Sequence, residues 1–335
     1  MSSATSTPGI TAALPQAPPG AAPSALETPA HPGHRHVWMS LTKARLSGLV
    51  VATTAVGLAV APGAAWTWWQ AAGVVLGTAL AAASAAMLNQ LVEVRRDALM
   101  HRTRTRPLPA GHVGRMTVFV VGVAAGYAGV SLVALASNVL AAALTAGTIL
   151  VYVLMYTPLK PLTTFNTLVG AVCGATPPMI GWAAATGGLE PGAWVLGSIL
   201  FVWQIPHFFA LAWVYRDDYR RGGFMMLPVL DDGGRTTTDT ILMTSLLMVP
   251  LSLLATLFGL AGAIYSAAAI LLGVWLSWRA LRLWRTPSDA AARRVFLATV
   301  LYLPLLLAAM VADRGPMTLS AALRAGAKVA APAAP

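Results

Sequence analysis

Apolar runs of about 18 to 25 residues, the length that crosses roughly 30 Å of hydrocarbon as a helix, recur along this sequence. They fall near 45–63, 66–90, 114–135, 137–156, 165–185, 192–214, 239–260, 263–282 and 292–313. A backbone immersed in lipid must satisfy its own hydrogen bonds, so runs repeated in this way admit a helical bundle and exclude open sheets. Only 10% of the 335 residues are charged and 57% are hydrophobic, whereas an ordinary soluble domain carries about a quarter charged residues. The expected fold is an all-α polytopic membrane protein of nine transmembrane helices in the lipid bilayer, a bundle with a central cavity open to the cytoplasmic side.

Lys and Arg favour cytoplasmic loops. With nine spans and a cytoplasmic N-terminus, nineteen of the 22 Lys and Arg fall on the inner side, leaving Arg314, Arg324 and Lys328 outside. The expected location is a bacterial-type inner membrane, with the N-terminus cytoplasmic. The formal charge of +11 reads as a topology signal, and no soluble basic domain is present for nucleic acid. Residues 1–36, made of Ala, Pro, Ser and Thr, read as a disordered cytoplasmic tail, 37–313 as the transmembrane domain and 314–335 as a C-terminal tail. The single cysteine, Cys173, excludes an internal disulfide.

Two loops, roughly 91–113 and 215–238, are longer than the rest, and seven of the eleven acidic residues lie in or beside them. Long charged loops among short ones are where function is expected. In "NQLVEVRRD", Asn89, Glu93 and Asp97 are spaced four apart, which places three oxygen donors on one side of a helix end. Such donors suit Mg²⁺, whose shell is completed by water and substrate phosphate. Arg102 and Arg106 follow with forks that match phosphate oxygens, Thr103 adds a hydroxyl, and Pro107 and Pro109 end the segment.

The second loop follows "WQIPHFFALAWVYRDDYRRGG". Gln204 and His207 are polar side chains in an apolar helix broken at Pro206, and Asp217 and Asp218 precede Arg220 and Arg221. Two acidic sites in matching places suit a diphosphate clamped through bridging metals, an aid to ionising an allylic diphosphate. For His207, a core packing role and a catalytic or positioning role both stay open. Between the loops, Tyr156 and Lys160 end the fourth span and Asn166 opens the fifth, whose Gly and Pro residues serve close packing or clear a wall for a flat ligand.

The segments "NQLVEVRRDALMHRTRTRPLPAG", "YTPLKPLTTFNT", "GATPPMIGW" and "WQIPHFFALAWVYRDDYRRGGFMMLP" together resemble the intramembrane prenyltransferases of the UbiA superfamily and, within it, the protohaem IX farnesyltransferases. The resemblance runs from "LTKARLSGLV" through the last span. Glu93 stands where the superfamily usually has Asp, and Gly222 stands four residues after Asp218, where a second acid is usual. The resemblance implies transfer of a farnesyl group from farnesyl diphosphate to a vinyl group of haem B, giving haem O; whether the product passes to a haem A synthase as a partner stays open at the level of sequence. On this reading Asn89, Glu93, Asp97, Asp217 and Asp218 are the expected Mg²⁺ donors, and Asn89, Glu93, Asp97, Arg102 and His207 the expected catalytic residues. Thr103, Arg106, Tyr156, Lys160, Asn166, Gln204 and Arg220 are the expected substrate contacts. A quinone-type aromatic prenyltransferase shares the first motif, and a secondary transporter would also explain paired halves and broken helices.

Overall fold

The computed structural model describes residues 33–62 and 66–314, and these are almost entirely helical. In chain order the helices are α1 His34–Leu41, α2 Ala44–Val60, α3 Trp68–Asp97 and α4 Arg115–Ala136. Next comes α5 Val139–Leu150, which continues through a π-helical turn, Val151–Tyr156, to Leu159, and then α6 Asn166–Thr186 and α7 Pro191–Val214. Two short helices, α8 Arg216–Arg221 and α9 Leu227–Leu230, precede α10 Arg235–Leu257, α11 Ala263–Arg285 and α12 Asp289–Ala312. Among the described residues eight helices are long and apolar enough to span a membrane, and α1 with α2, bent by 52°, makes a ninth if taken as one span. The nine expected spans correspond to these elements. Of the expected tails, residues 1–32 and 315–335 lie outside the described residues, whereas His34, Arg35 and His36 are helical in α1.

Side-chain caps set several helix starts on the side opposite the charged loops. Thr67 and Gln70 form a reciprocal capping box at α3, and the Asn138 carboxamide accepts from the Ala141 amide at α5. Gly187, at φ 81°, closes α6 in the left-handed conformation. The large loops 98–114, 160–165 and 215–234 all lie at the other ends of their helices. They gather there because successive spans run antiparallel.

Inside lipid there is little hydrophobic drive between helices, so close contact and hydrogen bonds hold the bundle. Helices α2 and α6 approach through glycine: a Cβ at Gly57 would overlap the Pro178 carbonyl, and one at Gly181 would overlap that of Thr54. The small residues of the fifth span thus serve close packing at Gly181. Across the C-terminal half, Trp203 donates to the Thr299 carbonyl at 2.9 Å, and Ser252 joins Tyr302 and Tyr265, each at 2.9 Å. Leu135, Tyr127 and Leu271, by contrast, are largely exposed, as a lipid-facing surface requires.

Lys43 sits in the break between α1 and α2 with φ 47° and ψ 50°, and among the described residues it is the one non-glycine with positive φ. This strained conformation turns the chain and aims the lysine inward.

Candidate active site

A cavity of about 330 Å³ opens beneath the two charged loops. Its floor and walls are apolar, with Val50, Ala82, Ala85, Ile149 and Ile180, and its head is charged, with Lys43, Glu93, Asp97, Arg102, Arg106 and Lys160. The division matches a ligand with an anionic head and a greasy tail.

The spacing-derived stripe is present at the end of α3, where Asn89, Glu93 and Asp97 are all buried. Each is met by a cation from a different part of the chain. Lys43 Nζ donates to Asn89 Oδ1 at 2.8 Å, and Asn89 Nδ2 donates in turn to Thr157 Oγ1 at 3.0 Å. Lys160 Nζ pairs with Glu93 Oε1 at 2.7 Å and lies 4.4 Å from the Tyr156 ring centroid. Arg106 Nη1 pairs with Asp97 Oδ2 at 2.7 Å, while Thr103 Oγ1 donates to the Asp97 carbonyl at 2.8 Å. Asp97 Oδ1 is buried and has no hydrogen-bond partner. A buried carboxylate oxygen left free is costly unless a further group serves it.

Just outside the spans, burial would depress the Lys160 ammonium, yet Glu93 beside it holds it above its ordinary value of 10.5. Arg102 is likewise opposed by burial and raised by Tyr219 and Tyr215; its guanidinium carbon lies 4.9 Å from the Tyr215 ring centroid and 5.5 Å from that of Tyr219. These cations stay charged across the neutral range, as phosphate binding requires.

Arg102, Thr103, Arg106, Tyr156, Lys160 and Gln204 line the cavity as expected. Gln204 fits because α6 carries Gly174 there, where a Cβ would overlap the carboxamide. Five expected site residues lie elsewhere. Asp217 is exposed and pairs with Arg220 at 2.9 Å, which also takes Arg220 out of the cavity wall. Asp218 is turned toward the first loop, where backbone amides occupy it. His207 Nδ1 pairs with Thr299 Oγ1 at 2.9 Å and its ring stacks on Trp203, because position 207 falls on the face of α7 that meets α12. Asn166 donates to the carbonyls of Thr163 and Met225, tying two loops together. Among the described residues no cluster of three or more His, Cys, Asp or Glu is placed to hold a metal. The stripe offers two carboxylates, with the amide of Asn89 behind them.

Sequence reasoning passed over Lys43, Tyr152, Met100, Tyr219, Phe224 and Met226, all on the cavity wall. Tyr152 was within reach of the pattern, being four residues before Tyr156 on one helical face. Lys43 lies 46 residues from its partner, and no local spacing marks it.

The UbiA prenyltransferase family model matches residues 50–323. The chain is 39% identical over 286 residues to the protoheme IX farnesyltransferase of Solibacter usitatus, covering 83% of this chain and 98% of that one. It is 45% identical over 270 residues to that of an Anaeromyxobacter species, covering 81% and 90%. Among solved structures it resembles digeranylgeranylglyceryl phosphate synthase, with TM-score 0.70 at 14% identity over 83% of this chain and 98% of the other. It also resembles a UbiA homolog from Archaeoglobus fulgidus bound to DMAPP and Mg²⁺, with TM-score 0.62 at 15% identity, covering 82% and 98%. At such identity these two likenesses speak to the fold alone.

Proposed function

The chain belongs to the UbiA prenyltransferase family, and from that membership we propose how its cavity carries out farnesyl transfer to haem. It is a multi-pass membrane prenyltransferase that moves the farnesyl group of farnesyl diphosphate to a vinyl group of haem B, giving haem O. Relatives named for this reaction, at 39% to 45% identity over most of their length, support the reading. The observation that carries the site is the buried stripe of Asn89, Glu93 and Asp97, ringed by Lys43, Lys160 and Arg106, at the polar end of an apolar chamber.

The head of the substrate is taken to lie among those cations and the tail among the Ala, Val and Ile walls. Hard oxygen donors and the free Asp97 Oδ1 suit a divalent ion. Magnesium held by Glu93 and Asp97, with Asn89 behind them, would supply neutralisation of the departing diphosphate. Lys43, Lys160, Arg102 and Arg106 share that task, so that the C1–O bond of the farnesyl group breaks with its electron pair leaving on diphosphate. Tyr152, Tyr156 and Phe208 border the chamber, where aromatic rings favour the allylic cation left behind. The haem vinyl bonds to C1, and water adds to the resulting cation beside the porphyrin and loses a proton. Apolar walls keep water from capturing the allylic cation earlier.

Lys and Arg on the loop side argue for a cytoplasmic face there. The product then suits a haem A synthase in the same membrane.

The test is mass spectrometry of haem recovered after incubating purified protein with haem B, farnesyl diphosphate and Mg²⁺. Haem O is expected from the wild type with Mg²⁺, with a loss of about 100-fold or more in Asp97→Ala. Unchanged haem beside a prenylated aromatic acid in a parallel reaction would keep the family chemistry and overturn the haem acceptor.

A further inference from the structure

We propose that Asp218 is a positioning residue that fixes the diphosphate-binding turn at 100–106 from across the cavity mouth, and not a metal ligand. This rests on the reading above that the head of α3 receives a diphosphate.

Both carboxylate oxygens of Asp218 are committed. Oδ1 accepts from the His101 amide at 3.1 Å and from Arg221 Nη1 at 2.9 Å, and Oδ2 accepts from the Arg102 amide at 3.1 Å. The turn itself leaves those two amides over. Its own bonds run from Met100 N to the Asp97 carbonyl, from Thr103 N and Arg104 N to that of Met100, and from Arg106 N to that of Thr103. An external acceptor at 101 and 102 therefore completes the turn. Two successive amides facing one anion form a concave donor pair of the kind that binds phosphate, and here the anion is the chain's own carboxylate.

What the turn positions is the phosphate-facing set. Arg102 is one of the two clamped residues, and Thr103 and Arg106 follow it onto the Asp97 carbonyl and carboxylate. Burial pushes the Asp218 carboxyl up, but the amides of Arg102 and His101 and the nearby Arg221 hold it below its ordinary range. The clamp is thus ionised whenever the protein works near neutrality.

The second loop is shaped for this contact. Arg96 Nη1 donates to the carbonyls of Gly222 and Gly223 at 3.0 and 3.2 Å, and Arg102 Nη2 reaches the Tyr219 hydroxyl at 3.3 Å. A Cβ at Gly222 would stand 3.0 Å from the Phe224 ring and 3.1 Å from Met100. A side chain at the position four residues after Asp218 would press on Phe224 and Met100. Met100, Phe224 and Met226 pack there as one cluster. Asp217, the other carboxylate of the pair, is exposed on Arg220. Together the loops make a cap joined at Asp218, with metal donors on the α3 side only.

The test is calorimetric titration of the full-length protein with farnesyl diphosphate, without haem so that nothing turns over, across a series of Mg²⁺ concentrations. Asp218→Asn keeps one acceptor oxygen and loses the charge. It is expected to weaken farnesyl diphosphate binding by about 10-fold at saturating Mg²⁺, to leave the half-saturating Mg²⁺ concentration unchanged, and to speed amide exchange at 101–104. Asp218→Ala should do the same more strongly; if it fails to fold, Asp218→Asn alone decides the matter. Affinity recovered by raising Mg²⁺ would make Asp218 a metal ligand and overturn the proposal, as would unchanged affinity and exchange. If Asp97→Ala also binds normally, the diphosphate assignment of the α3 head is what has failed.

Discussion

At the scale of single residues, the site is a set of buried charges that neutralise one another. Glu93 and Lys160 are both largely buried, and removing one partner of such a pair strands the other. Lys160→Met is expected to cost about 3 kcal/mol of stability, read as a lower unfolding temperature in detergent. The raised Lys160 ammonium fixes the pH window. Its contribution is complete below its ordinary value of 10.5 and fades only as pH climbs through the still higher folded value. The gap between wild type and variant should therefore not close as pH rises from 7 to 9; a gap that closes in that range would contradict the pairing. The stripe itself was legible in the sequence, since steps of four mark a helical face. The cations were only partly so: Arg106 lies nine residues from Asp97, whereas Lys160 and Lys43 lie 67 and 46 from their partners. Asp218 read as a metal donor in the sequence; of its partners only Arg221, three residues on, is marked by spacing, and the His101 and Arg102 amides are not.

At the scale of helices, composition placed the spans and small residues set their separation. Gly181 lets α6 lie against the Thr54 carbonyl of α2. Gly181→Leu should destabilise the protein by about 2 kcal/mol or more, measured as thermal unfolding; an unchanged midpoint would show that the two helices part without cost. The apolar runs were long and uncharged, which is why the elements were legible. Two features were not. Helix α1 is a short segment ahead of the first run, and the π-helical turn at Val151–Tyr156 arises from backbone hydrogen bonds that leave no mark on hydropathy. Yet that turn carries both Tyr152 and Tyr156 to the cavity.

At the scale of the whole molecule, every long charged loop lies at one end of the bundle, above the cavity head. Thr105→Cys is therefore expected to react with a membrane-impermeant maleimide from the cytoplasmic side, and Gly188→Cys from the opposite side, while the buried Cys173 stays silent. Labelling of both from one face would overturn the orientation. The long reach of the cap and its ion pairs also bears on how the protein is made. At about 5 to 20 residues per second on the ribosome, Asp97 gains Arg106 almost at once, but Lys160 is 67 residues behind Glu93. For roughly 3 to 13 s the nascent α3 must enter the translocon with a carboxyl group whose partner has not been synthesised. Glu93 waits for its partner until Lys160 emerges behind α5, and the contact of Asp218 with the His101 amide forms only across a separation of 117 residues.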